Sequence, residues 1–383
     1  MWQIRKPRKG SDCMIYTKGY KFRLYPNKNQ QKLINQILGC CRYVYNYFLT
    51  VRKEAYQKDK TKIYYTETSR LMTQLKQDVE HVWLNAADSI ALQQSLRDLD
   101  TAYQNFFKGR SGYPKYKSKH SHKQTYRTIS KGIRIEGKKL NLPKLGLVRF
   151  EQSREIQGTI VNATITRTAS GKYFVSLCVE EDLADNLKLN KGGEIGIDVG
   201  LKEFYTDNFG NMVSNPKILK KLTKKLIKEQ RKLSRKVKDS NNREKQRIKV
   251  AKVHERIANA RLDFLHKQST TLCRENQTIA VESLKVKNLL KNHKLARAII
   301  DVSWGEFFRQ LAYKSALYGC DLIKVPTFYP SSQTCSCCGY RNPLTKNLNV
   351  REWHCPKCGA HHDRDENAAK NILAKALEIR QSA

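Results

Sequence analysis

Hydrophobic positions along this chain change period several times, and each change marks an element. Gly19 to Pro26, GYKFRLYP, alternates Tyr20, Phe22 and Leu24 with Lys21 and Arg23 and stops at a proline, which predicts a short amphipathic strand. From Asn27, a good N-cap, Leu33, Ile34, Ile37, Leu38, Cys41, Val44, Tyr45 and Phe48 recur at helical spacing, so a long helix with one buried face follows. A shorter helix is expected over 68–78. Another starts at Ser89, where Leu92, Leu96, Leu99, Tyr103 and Phe106 keep the period until Gly109 ends it.

Beyond Gly109 the period is lost. Residues 109–131 interleave Tyr113, Tyr116 and Tyr126 with Lys115, Lys117 and Arg127, a composition that suits base stacking and phosphate pairing and equally suits a solvated linker. Residues 132–180 return to alternation, with a turn at Ser170-Gly171, and predict an antiparallel sheet that the Gly19 to Pro26 strand joins.

After Lys191-Gly192-Gly193 an apolar strand, Glu194 to Val199, opens a new domain, and a second run at Phe204 to Asp207 with a turn at 208–211 makes a hairpin. Leu219, Leu222, Leu226, Leu233 and Val237 then form one side of a helical hairpin, and Ile248, Ala251, Ala258, Leu262 and Leu265 the other. Strands at Thr278 to Val281 and Leu322 to Val325, a helix over Val302 to Tyr318 and a last helix from Glu366 to Arg380 make this half α/β. At 383 residues the chain exceeds what one core supports, and several domains are expected.

Charge narrows the function. Lys and Arg number 73 against 35 Asp and Glu, a net charge of +38, and such a surface repels itself unless a polyanion neutralises it. No stretch reaches the length of an apolar membrane span, and the basic N-terminus lacks a signal core, so a cytosolic nucleic-acid binder is expected and a membrane partner is not.

Five of the 11 cysteines crowd into residues 335–358. Cys335-x-x-Cys338-Gly339 and Cys355-Pro-Lys-Cys358-Gly359 are two knuckles whose thiolates close a tetrahedral zinc site, each glycine relieving a tight turn. Four protein ligands leave no place for water, so this zinc is structural; Cys337, His354, His361 and His362 are possible substitutes.

Acidic residues stand where a fold would not choose them. Asp198 ends the apolar run EIGIDVG, Glu282 ends TIAVES, and Asp365 or Asp363 opens the last helix. Each alone reads as a cap or an ion-pair partner; together they form the set that binds Mg²⁺ or Mn²⁺ in two-metal nucleases of the ribonuclease H type. His120 and His122 look like a two-histidine nuclease motif but lie in a polar stretch rather than in a strand, and are read as surface.

KFRLYPN, GIDVGL, AVESL, YPSSQTCSCCG, WHCPKCG and HDRDENAAKNI, spread over nearly the whole chain, resemble the TnpB (OrfB) family of bacterial insertion sequences, relatives of the type V CRISPR effectors. The resemblance implies an RNA-guided DNA endonuclease, cytoplasmic and nucleoid-associated in a bacterium or archaeon. As one chain on one guide RNA from the transposon end, it would cut double-stranded DNA beside a short flanking motif. It implies an α+β multi-domain fold: a helical domain and an antiparallel β-barrel-like domain, then a RuvC-like (ribonuclease H-like) α/β nuclease domain with an inserted zinc ribbon. The expected segments are 1–26 with 123–186 for the β-barrel-like wedge, 27–122 for the helical recognition domain and basic linker, 187–332 with 361–383 for the nuclease, and 333–360 for the ribbon. It also implies Asp198, Glu282 and Asp365 as the catalytic magnesium ligands and Cys335, Cys338, Cys355 and Cys358 as the zinc ligands. Residues ahead of Met14 precede the family's usual start.

Three other readings share parts of this pattern. An unguided transposase or resolvase would use the same acids, a non-cutting guided repressor would keep the charge without needing them, and a ribosome-associated zinc-ribbon protein would leave them unexplained.

Overall fold

The computed structural model describes residues 15–121, 123–129, 132–182, 192–347 and 349–382. The expected arm ahead of Met14, His122 and the boundary near 186 lie outside them. The chain divides into two compact units, Met1–Leu183 and Ala184–Ala383. Among the described residues no helix is long and apolar enough to cross a membrane.

In the first unit a strand β1 (Ile15–Tyr25) leads into helix α1 (Lys28–Asp59). Asn27 caps α1 by accepting from the Gln30 N–H while the Gln30 side chain accepts from the Asn27 N–H, a reciprocal box that fixes the helix start. Helices α2 (Tyr65–Leu75) and α3 (Ser89–Phe107) follow, separated by a short 3₁₀ segment, Val79–Ala86. Six further strands complete an antiparallel sheet: β2 (Lys123–Thr128), β3 (Arg134–Glu136), β4 (Lys139–Leu142), β5 (Gly146–Glu151), β6 (Thr159–Thr168) and β7 (Tyr173–Asp182). Their order is β2-β6-β7-β1-β5-β4-β3, so β1 joins the sheet in its middle. The predicted turn at Ser170-Gly171 is the β6–β7 hairpin, where Gly171 takes φ +80°. One hydrophobic core, with Phe22, Ile34, Phe48, Leu92 and Val175 among its members, joins helices to sheet.

The second unit is built on β8 (Gly193–Val199), β9 (Glu203–Asp207) and β10 (Met212–Ser214), then a helical hairpin of α4 (Ile218–Ser234) and α5 (Asn241–Glu275). Strand β11 (Asn276–Glu282), helices α6 (Val286–Leu289), α7 (His293–Val302) and α8 (Trp304–Tyr318), and strand β12 (Asp321–Val325) complete the main layer. A two-stranded ribbon, β13 (Glu352–His354) and β14 (His361–Asp363), leads directly into α9 (Arg364–Gln381). The sheet order is β10-β9-β8-β11-β12, with β11 parallel to both β8 and β12.

Two differences from the expected elements have simple causes. The buried stripe of α5 runs through Val250, Val253 and Ile257 rather than Ala258 and Leu262, and Val237 is exposed because α4 has already ended at Ser234. Helix α7 was not foreseen: a ten-residue amphipathic segment separated from α8 by Ser303 alone gives too few turns for its period to stand out.

Candidate active site

The two central strands of the second unit repeat one pattern. Ile195 and Ile197 of β8, with Ile279 and Val281 of β11, face a core shared with α5 and α8. The alternate positions, Gly196 and Asp198 on one strand and Ala280 and Glu282 on the other, fall on the opposite face, where α9 packs through Ile372 and Ala376. A small residue and then an acid, two positions on, is therefore presented twice, side by side. Val281 stands opposite Ile197 in the parallel register, so the next residues, Glu282 at the end of β11 and Asp198 one short of the end of β8, come side by side.

Small residues let the helix come close. A Cβ at Gly196 would lie 2.3 Å from the Ala369 carbonyl oxygen and 2.7 Å from Leu373 Cβ, both on α9. The first turn of that helix carries Asp365. Asp363, the alternative named from sequence, is its N-cap, and its Oδ1 accepts from the N–H groups of Asp365 and Glu366 at 2.9 Å each.

The electrostatics record the convergence. Burial pushes the Asp198 carboxyl well above the ordinary carboxylate range, and the charges of Glu282 and Asp365 push it the same way, against Arg364 and Arg351. Burial also raises Glu282, opposed by Ser331, whose hydroxyl donates to Glu282 Oε1 at 2.6 Å. Arg351 reaches Asp365 Oδ2 at 3.3 Å. Among the described residues the three carboxylates do not form a group whose oxygens all lie within 4.8 Å of one another.

The knuckles stand next to this cluster. Cys335, Cys338, Cys355 and Cys358 keep all four sulfurs within 4.8 Å of one another, with Cys335–Cys358 and Cys338–Cys355 at 3.6 Å. A tetrahedron with Zn–S bonds of about 2.3 Å has edges of about 3.8 Å, so the cluster can hold zinc. Gly339 and Gly359 both take φ +74°, and their N–H groups donate to the carbonyls of Cys335 and Cys355. His362 Nε2 lies 3.0 Å from Cys335 Sγ, which makes Cys335, Cys337 and His362 a second, three-residue grouping. One more set, Asp78, Glu80 and His81, lies in the first unit, where His81 already contacts Asp78 and Tyr43 through its two ring nitrogens.

A family model described as a probable transposase (OrfB_IS605) matches residues 176–293, and one described as a Cas12f1-like TNB domain matches 304–372. A third, described as a helix-turn-helix domain, matches 14–61, where this structure has β1 and the single helix α1. A Streptomyces pristinaespiralis protein named "Putative RNA-guided DNA endonuclease" is 41% identical over 364 residues, covering 94% of this chain and 89% of its own length. The chain belongs to the TnpB (OrfB) family. An Escherichia coli relative, "Putative RNA-guided DNA endonuclease InsQ", is 33% identical and covers 93% of this chain and 91% of its own. The fold resembles that of Cas12f1 in a complex with sgRNA and target DNA, with a TM-score of 0.54 at 15% identity over 93% of this chain and 98% of that one.

In this TnpB-family chain the residues singled out for nucleic-acid contact fall in different settings. Lys115 is exposed, and Tyr116 is exposed with its hydroxyl bonded to Thr50 at 3.0 Å. Asn46 of α1 clamps the Lys117 backbone, and the Lys117 ammonium sits 4.0 Å from the Tyr45 ring. The segment is therefore tethered rather than free. Arg127 is partly exposed and pairs with Asp98 at 3.1 Å. Tyr126 is a correction: its ring is 5% exposed within the core, so it has no face left for a base. It points inward because 123–128 is a strand paired with β6, an alternation hidden by polar residues on both faces.

Sequence reasoning missed the residues that hold the TnpB site together. Asn367 and Asn371, one turn apart on α9, donate to the Thr334 carbonyl, and Asn371 also donates to the Ser331 carbonyl. The motif YPSSQTC contains Ser331, but nothing in it points to a partner 49 positions away. Gly196 lay inside a quoted motif and was given no task. Gly196→Ala is expected to cost about 1 to 3 kcal/mol of stability by overpacking against α9. It should also lower cleavage about 10²-fold, as a displacement near 1 Å can, and raise the metal concentration needed for half-maximal rate. Thermal melts beside a metal titration of the cleavage rate check both parts.

Proposed function

We propose that the chain is an RNA-guided DNA endonuclease whose cutting centre is Asp198, Glu282 and Asp365. The observation that carries this reading is geometric: Asp198 and Glu282 stand side by side on adjacent parallel strands, under the helix whose first turn carries Asp365, and burial with the other two acids raises the Asp198 carboxyl accordingly. A structural ion pair would have brought a cation of its own to neutralise the set. Here Arg351 pairs with Asp365 and Arg364 donates to the Asn347 carbonyl, and their charges offset only part of the push on Asp198.

The donors are all carboxylate oxygens, the chemistry that suits Mg²⁺ or Mn²⁺. Asp198 and Glu282 would hold the ions between them, with Asp365 completing the set from α9. Once bound, two such ions activate a water and stabilise the leaving oxygen of a phosphodiester. The protein's own contribution is positional: Ser331 fixes the rotamer of Glu282, Gly196 sets the distance of α9, and Asp363 orients its first turn. Arg351 and Arg364 offset part of the acids' negative field at Asp198.

Zinc on Cys335, Cys338, Cys355 and Cys358 is structural in this reading, since four thiolates leave no open position. Segments 187–332 and 361–383 act as a RuvC-like nuclease domain with the ribbon, 333–360, inserted. Segments 1–26 and 123–186 act as a wedge, and 27–122 as the recognition domain for the guide–target heteroduplex and flanking motif, one chain binding one RNA.

Guidance is tested by purifying the protein without nuclease treatment. A stoichiometric RNA of defined length, and Mg²⁺-dependent cutting of DNA matching it but not of a scrambled duplex, are expected. Cutting that persists after the RNA is digested away would instead identify an unguided nuclease.

A further inference from the structure

The first unit carries a cavity that the cutting centre does not use. It has a volume of about 620 Å³ and lies between the C-terminal half of α1, the chain just beyond it, and the end of α3 with the loop to Tyr113. Its walls are aromatic. Tyr103 and Phe107 stack at 6.3 Å, and Phe106 and Tyr113 meet edge to face at 5.4 Å. Tyr64 and Phe107 stand 61% and 75% exposed at its mouth, a large apolar area for a chain to leave in water without a partner.

The rim is cationic. Lys53, Lys60 and Lys62 line it and no carboxylate does so among the described residues. Arg52 covers the Tyr103 ring at 4.1 Å and is neutralised by Asp100 at 3.2 Å, so it belongs to the wall rather than to the rim. Lysines around exposed aromatic faces repel a basic partner and suit a flat ring tethered to a phosphate. That is the chemistry of an unpaired nucleotide.

We propose that this cavity is a binding site for an unpaired base of RNA, gripped by stacking on Tyr64 and Phe107 with its phosphates on Lys60 and Lys62. The choice of RNA rests on the proposed function, in which a guide RNA is the resident nucleic acid and offers single-stranded loops before any target is met, whereas DNA offers an unpaired strand only after invasion. The amide of Gln57 in the same wall can donate and accept, as recognition of a ribose 2′-hydroxyl requires.

The test uses the full chain, freed of co-purified nucleic acid, and a short single-stranded RNA carrying one 2-aminopurine, whose fluorescence is quenched on stacking. Wild type is expected to quench it. The double variant Tyr64→Ala, Phe107→Ala, which removes only exposed rings, should lose the quenching. Its affinity should fall about 5- to 150-fold, the equivalent of one stacked base, with the salt slope unchanged. Tyr64→Phe should restore quenching, which a folding defect would not allow. Lys60→Ala with Lys62→Ala should flatten the salt slope instead.

Equal quenching by the double variant would overturn the site, and preferential binding of the matching DNA oligonucleotide would overturn the assignment to RNA. Because no cleavage is read, the site stands or falls separately from the guided nuclease: RNA-independent cutting with intact quenching removes only the latter.

Discussion

Asp198→Ala is expected to leave RNA and DNA binding within about twofold of wild type while slowing DNA cleavage by about 10³-fold or more. The magnitude follows from the several kcal/mol that divalent cations contribute at such centres, at 1.36 kcal/mol per tenfold in rate. Cleavage of a matched supercoiled target in Mg²⁺ measures it, and near-normal cutting would remove Asp198 from the centre. A paired comparison separates the two candidates on α9. Asp363→Asn keeps an oxygen that can cap the helix and should still cut, whereas Asp365→Asn should not.

The same residue links activity to pH and stability. Because burial and its acidic neighbours hold the Asp198 carboxyl above its ordinary range, the folded chain keeps a proton there that the unfolded chain has already released. Folding therefore takes up a proton in that window, and stability falls as pH rises through the raised value. With zinc retained and no Mg²⁺ added, Asp198→Asn should thus melt at a higher temperature than wild type at neutral pH. Saturating Mg²⁺ should reverse the order, since only the carboxylate gains from the cation. Identical melting of the two zinc-loaded proteins without Mg²⁺ at every pH would contradict the buried, repelled carboxyl.

Loss of zinc is expected to remove cutting as completely as loss of Asp198, by a different route. Binding of zinc to four cysteines contributes about 10 to 16 kcal/mol in isolated zinc-finger peptides, far more than the short ribbon can supply alone. Without it, the segment that runs from Ser331 to α9 loses its anchor, and with it the bond to Glu282 and the placement of Asp365. Chelation followed by return of Mg²⁺ alone should leave cleavage abolished, with faster amide exchange confined to about 331–371. Cys358→Ser should release zinc and Cys337→Ser should not. The reverse outcome, with His362→Ala also releasing zinc, would assign the ion to the other grouping.

The parts legible in the sequence were those whose cause is local. The stripe of α1 and its cap at Asn27 depend on neighbours a turn away, and the knuckles depend on glycine turns inside each motif. Asp198 and Glu282 stood out because each is an acid at the end of an apolar strand. What escaped depends on distant partners. Tyr126 faces the core only because β2 pairs with β6, Ser331 matters only because β11 ends beside it, and Gly196 has a task only once α9 lies across β8. The preference for Asp365 over Asp363 came from the family resemblance, and that Asp363 caps α9 is a bond the letters alone did not show.

The dependence of β8 and β11 on α9 also dictates an order of events during synthesis. A ribosome releases the first unit, then both strand acids, and only at the end the helix that covers Gly196 and delivers Asp365. A chain halted before Arg364 keeps every lysine and arginine of the earlier segments, with two acids in place and no third. On the proposed assignment, premature termination or proteolytic loss of the last helix should therefore leave a binder rather than a cutter, and an incomplete copy would occupy nucleic acid without damaging it.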